Sequence, residues 1–119
     1  MAGLEAHLRA RRAEGHKLLL PYLTAGYPVG EWPRLIEGFA LAGADGMEIG
    51  LPFSDPVMDG PTIQEASTLA LEAGANPQAL LDEVAKMDAG IPTVAMTYYN
   101  ICFRMGHERF ASALVQAGI

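Results

Sequence analysis

The residues with the clearest capacity for chemistry lie in one short stretch, MEIGLPFSDPVMDG, residues 47–60. It carries Glu48 inside an apolar run and holds Asp55 and Asp59 in the loop that follows. A carboxylate taken out of water holds its proton more tightly, which suits a general acid or base. Two carboxylates in different environments facing one pocket can divide acid and base duties between them. Pro52 and Pro56 restrict the loop, Gly60 permits a sharp turn, and Pro61 suits the first turn of a helix. Asp55 and Asp59 are also types that cap helices or close Asx turns, and Glu48 could be neutralised by an ion pair inside a sheet.

The elements around this stretch decide whether such a pocket can exist. Short apolar runs alternate with helical patterns. Residues 17–26 (KLLLPYLTAG), 44–50 (ADGMEIG) and 91–100 (IPTVAMTYYN) read as strands. Residues 31–43, 60–74, 76–87 and 107–118 read as helices, with Pro33, Pro61 and Pro77 in first turns and Asn76 as a cap. The opening residues read as an amphipathic helix, with Leu4 and Leu8 on one side and Arg9, Arg11 and Arg12 as a solvated basic face. Strands alternating with helices imply a parallel sheet covered by helices, whose function sits at the C-terminal strand ends.

Alternation within strands then sorts the side chains. Gly46, Glu48 and Gly50 share one face of the second strand, and Met47 and Ile49 the other. The apolar pair suits the helix layer, which turns Glu48 inward between glycines that leave room for a ligand. On the third strand Val94, Met96 and Tyr98 share the inward face, with Thr97 and Tyr99 outward. On the first strand Leu20, Tyr22 and Thr24 share one parity. Tyr22, Met96 and Tyr98 would line an apolar, aromatic cavity, although plain core packing accounts for each equally well.

Composition narrows the alternatives. Eight basic and fourteen acidic side chains give a formal charge of −6, which disfavours nucleic acid and anionic membranes as partners. One cysteine, Cys102, excludes an internal disulfide and fits a reducing, cytoplasmic setting. It is expected in a loop with no histidine partner. His7, His16 and His107 fall in or near helices as solvated residues. The N-terminus lacks the apolar segment of a secretory signal, and no apolar run approaches the roughly 20 residues of a membrane helix. No dinucleotide fingerprint, P-loop or metal-ligand spacing is present. Residues 1–119 read as a single partial domain: the last helix ends where a fourth strand is expected, and three strands cannot close a barrel.

MEIGLPFSDPVMDGPTIQEA resembles the signature of the tryptophan synthase alpha chain family. LPYLTAGYP is similar to that family's first-strand segment and MTYYN to its third, and the likeness runs from about residue 17 to the end. The resemblance implies the N-terminal portion of a (β/α)8 barrel, about three βα units with an N-terminal helix. It implies aldol cleavage of indole-3-glycerol phosphate to indole and glyceraldehyde 3-phosphate. Glu48 matches the glutamate that handles the proton at indole C3, and Asp59 the aspartate that bonds the indole N–H. Tyr22, Met96 and Tyr98 match positions lining the indole pocket; Tyr22 is often phenylalanine in the family. The resemblance also implies a beta-chain partner in an α2β2 assembly, contacted through Pro52, Asp55 and Asn100. Pyridoxal phosphate is expected in that partner, with no cofactor or metal in this chain. A full barrel of this kind has ~250 residues, and its phosphate site comes from loops after strands seven and eight. The segment alone is therefore expected to be inactive. Two other readings stay open: a different phosphate-binding barrel enzyme, and a non-catalytic binder of the beta chain.

Overall fold

The computed structural model describes residues 3–119. In chain order the elements are α1 (Leu4–Ala13), β1 (Tyr22–Thr24), α2 (Trp32–Leu41), β2 (Met47–Gly50), α3 (Pro61–Glu72), α4 (Pro77–Val84), β3 (Thr93–Met96), α5 (Tyr99–Met105) and α6 (His107–Gln116). The strands form one parallel sheet in the order β1-β2-β3. Helix starts follow the sequence signals closely. Pro61 and Pro77 occupy first-turn positions, where a missing N–H costs no helical bond. The Asn76 side chain accepts the Ala79 N–H at 2.9 Å and so caps α4.

The strands are shorter than the apolar runs. Expected at 91–100, the third ends at Met96, and Tyr99 and Asn100 already belong to α5. Cys102 accordingly lies in a helix rather than a loop. The two helices at this end, α5 and α6, meet at Gly106, whose φ of 90° is readily adopted only by glycine.

Register fixes which side chains share a face. Tyr22 pairs with Glu48, and Glu48 with Val94; one step along, Thr24 pairs with Gly50, and Gly50 with Met96. In a parallel sheet such partners point to the same side. The opposite side carries the core. Met47 and Ile49 are fully buried against Ile36 of α2 and Leu81 of α4, with Leu23, Val84, Phe110 and Ala113 in the same cluster. Each such side chain contributes roughly 1.5–3 kcal/mol on full burial. Among the described residues no full layer covers the face carrying Tyr22, Glu48, Val94 and Met96: Val94 is half-buried and Met96 exposed, although Thr24 on the same side is buried.

The basic face expected on α1 is only partly solvated. Arg9 pairs with Glu5 in water, but Arg11 turns to the foot of β2 and donates through Nε to Asp45 Oδ1 at 3.0 Å. Asp45 is 4% exposed and also accepts the Leu19 N–H at 2.9 Å. This knot pins α1 to the N-terminal end of the sheet. Among the described residues no helix is long and apolar enough to cross a membrane.

Candidate active site

The loop after β2, residues 51–60, rises from the C-terminal end of the sheet and folds toward the end of β3. Its closure depends on Tyr98, just beyond that strand. The Tyr98 hydroxyl accepts the Met58 N–H at 3.0 Å and donates to Asp59 Oδ2 at 3.1 Å. The ring stacks on Phe53, with centroids 5.0 Å apart and planes 24° apart. A second tie comes from α3, where Gln64 Nε2 donates to the Asp59 carbonyl at 2.8 Å. Backbone and side chain of Asp59 are thus both held, while much of the carboxylate's accepting capacity stays free.

Asp59 does not cap α3. Gly60 is the cap residue, and no side-chain cap bond forms there. The capping alternative is therefore absent for Asp59. Asp55 does act locally: its carboxylate accepts the Ser54 hydroxyl at 2.8 Å, and its carbonyl accepts the Val57 N–H.

A cavity of about 320 Å³ opens beside this loop, lined by Tyr22, Leu51, Met58, Asp59, Met96 and Tyr98 among others. Tyr22, Met96 and Tyr98, which the sequence grouped, thus meet at one wall. Thr97 and Tyr99 line it too. The strand ends at Met96, so the two-residue alternation does not extend to them. Glu48 lies on the same side of the sheet, next to Tyr22 in the register and one row below Gly50. It is half-buried rather than fully desolvated, because the described residues supply no wall opposite the sheet.

Tyr22 feels the charge of both carboxylates. Burial pushes its hydroxyl above the usual tyrosine range, the hydrogen bond with Thr24 opposes this, and the charges of Asp59 and Glu48 push it further up. Gly50 makes the seat for this ring: a Cβ there would collide with the Tyr22 hydroxyl. The glycine flanking Glu48 therefore makes room for a side chain of the protein itself. Sequence parity missed this, as it missed the Tyr98–Asp59 bond spanning 39 residues.

Pro52, Asp55 and Asn100 come together elsewhere, in a groove of about 770 Å³ on the outer side of the loop, with Arg104 and Arg109 across it. Asp55 and Asn100 are exposed, whereas Pro52 is buried and shapes the loop from within.

Residues 8–119 match the family model described as tryptophan synthase alpha chain. The chain belongs to this family. It is 42% identical to the tryptophan synthase alpha chain of Marinobacter nauticus over 123 aligned positions, covering 100% of this chain and 46% of that one. The Methanosarcina barkeri alpha chain is 45% identical, over 85% of this chain and 39% of its own length. Among solved structures, tryptophan synthase from M. tuberculosis superposes with a TM-score of 0.90 at 37% identity, covering 99% of this chain and 49% of that one. The alpha subunit from Legionella pneumophila gives 0.88 at 35% identity, covering 99% and 47%. The chain spans about half the length of the alpha chains it matches. Its parallel sheet and helices are the N-terminal portion of the family's (β/α)8 barrel.

Proposed function

We propose that this segment supplies the acid/base half of a tryptophan synthase alpha site, a lyase of tryptophan biosynthesis that splits indole-3-glycerol phosphate into indole and glyceraldehyde 3-phosphate. Glu48 delivers a proton to C3 of the indole ring. That carbon becomes tetrahedral, and positive charge develops at the ring nitrogen, whose N–H donates to the Asp59 carboxylate. The bond from C3 to the side chain then breaks, and its electrons restore the aromatic ring. The adjoining hydroxyl gives its proton to the Glu48 carboxylate left by the first step and becomes the aldehyde carbonyl. General acid–base catalysis at such a step contributes roughly 10²–10⁴-fold, and preorganised charge at the nitrogen adds to it.

The observation that carries this reading is the position of Tyr22. It stands beside Glu48 in the register, shares a cavity with Asp59, and its hydroxyl responds to both charges. The flat ring of the substrate fits the apolar wall of Tyr22, Met96 and Tyr98. No step in this chain uses a cofactor, and pyridoxal phosphate belongs to the beta partner. That partner docks on the groove of Asp55, Asn100 and Arg104, with Pro52 shaping it from within, in an α2β2 assembly in the cytoplasm. The same loop would then carry Asp59 on its inner side and the partner surface on its outer side.

The test is an indole-release assay on the full-length chain and on residues 1–119 alone, each with and without a beta chain. The full-length chain should release indole, faster with the partner. The 119 residues alone should not, because the phosphate-binding loops of such barrels follow strands seven and eight, and open parallel edges invite self-association. A full-length chain that releases no indole overturns the assignment. Release by residues 1–119 alone overturns the need for the second half.

A further inference from the structure

Tyr22 and Thr24 lie two positions apart on the Glu48 side of β1, with their hydroxyl oxygens 3.0 Å apart. Distance alone lets either one donate. Burial decides between them. Thr24 is 3% exposed, and among the described residues its Oγ1 is bonded to Tyr22. Were Tyr22 the donor, the Thr24 hydrogen would be buried with no acceptor, which is costly. With Thr24 donating, its hydrogen is satisfied and Tyr22 keeps its own O–H for another acceptor. Tyr22 is half-buried and lines the cavity that also holds Asp59. The hydroxyl is also fixed from below, since it fills the room left by the missing side chain of Gly50.

We propose that Tyr22 is a substrate-positioning donor, its O–H directed by Thr24 into the cavity toward an oxygen on the bound substrate. The inference rests on the aldol-cleavage reading and deepens it by naming the group recognised. The indole ring has no oxygen to accept such a bond, whereas the hydroxyls of the glycerol chain do. Phenylalanine at this position would supply the same wall without the donor.

The experiment measures kcat and KM for indole-3-glycerol phosphate, and Kd for indole, on the full-length wild type and on Tyr22→Phe, Thr24→Ser and Thr24→Val. Tyr22→Phe should raise KM roughly three- to tenfold, the range of one neutral hydrogen bond, and leave indole affinity unchanged. Thr24→Ser should behave as wild type. Thr24→Val should show part of the Tyr22→Phe effect, because nothing then orients the phenol hydrogen. Equal weakening of indole and substrate by Tyr22→Phe would make the ring an apolar wall only and overturn the inference. So would an unchanged KM in Tyr22→Phe or in Thr24→Val. A wild type that releases no indole would overturn the aldol reading and this inference together, whereas active wild type with an indistinguishable Tyr22→Phe would overturn the inference alone.

Discussion

Asp45 and Asp59 sit near opposite ends of the same small sheet and are used in opposite ways. Asp45, at the N-terminal end, is almost fully buried and accepts from the Leu19 N–H and the Arg11 guanidinium. The Leu19 amide first, and Arg11 second, hold its carboxyl below the ordinary value of 3.8. Asp59, beyond the C-terminal end, is fixed by one bond from Tyr98 and left open to a cavity. Glu48, on the same open face, makes no side-chain hydrogen bond among the described residues. A carboxylate saturated by protein donors holds structure. A carboxylate that is positioned and left unsaturated is available to a ligand. The (β/α)8 architecture makes this split systematic, with stability at the N-terminal face and chemistry at the C-terminal face.

Four variants probe that contrast. The largest effect is expected at Glu48: Glu48→Gln should lower turnover by roughly 10²–10⁴-fold while substrate still binds, as steady-state kinetics on the full-length chain would reveal. Asp59→Asn comes next. The amide oxygen can still accept from Tyr98 and from an indole N–H, but the charge is gone. A charge-assisted hydrogen bond is worth roughly 1.5–3 kcal/mol, so turnover should fall about 10- to 150-fold, with KM changed less. A raised KM with unchanged turnover would make Asp59 a binding or structural group only.

Asp45→Asn should act on stability instead. An amide has one oxygen and one NH₂ for two donors, so a donor must face either Leu19 or Arg11. The urea midpoint should drop while kcat stays at the wild-type level. The pH dependence has a definite sign. The folded protein holds this carboxyl below its unfolded value, so its contribution is complete above about 3.8 and is lost as pH falls through the lower folded value. In Asp45→Asn that part of the acid destabilisation should vanish from urea titrations below pH 4. Tyr98→Phe should have the smallest effect. It keeps the stack on Phe53 and removes two hydrogen bonds to the loop, each worth about 0.5–1.5 kcal/mol. The loop should loosen, seen as faster amide exchange at Met58, with a modest fall in turnover.

The sequence made some of this contrast legible and hid the rest. Glu48 could be turned inward because strand alternation and the apolar character of Met47 and Ile49 leave one choice of face, and both residues are indeed buried on the helix side. The start of α4 was equally readable, since Asn76 and Pro77 act locally. Where local rules end, reading fails. Alternation says nothing about Thr97 and Tyr99, because the strand stops at Met96. The Arg11 contact is not legible locally, because its partner lies 34 residues away in the chain, at the N-terminal end of the sheet. The Tyr98–Asp59 bond is equally non-local. Gly50 was read as space for a ligand, yet the nearest occupant is Tyr22. A glycine beside a candidate site shows that room is needed there without showing which group takes it.

The most direct test measures kcat and the urea midpoint together on full-length wild type, Glu48→Gln and Asp45→Asn. The account predicts that the two properties separate. Glu48→Gln should lose turnover by roughly 10²–10⁴-fold at an unchanged midpoint, and Asp45→Asn should lose stability at an unchanged kcat. Near-normal turnover in Glu48→Gln would contradict the account, as would a loss of turnover in both variants that simply follows their loss of stability.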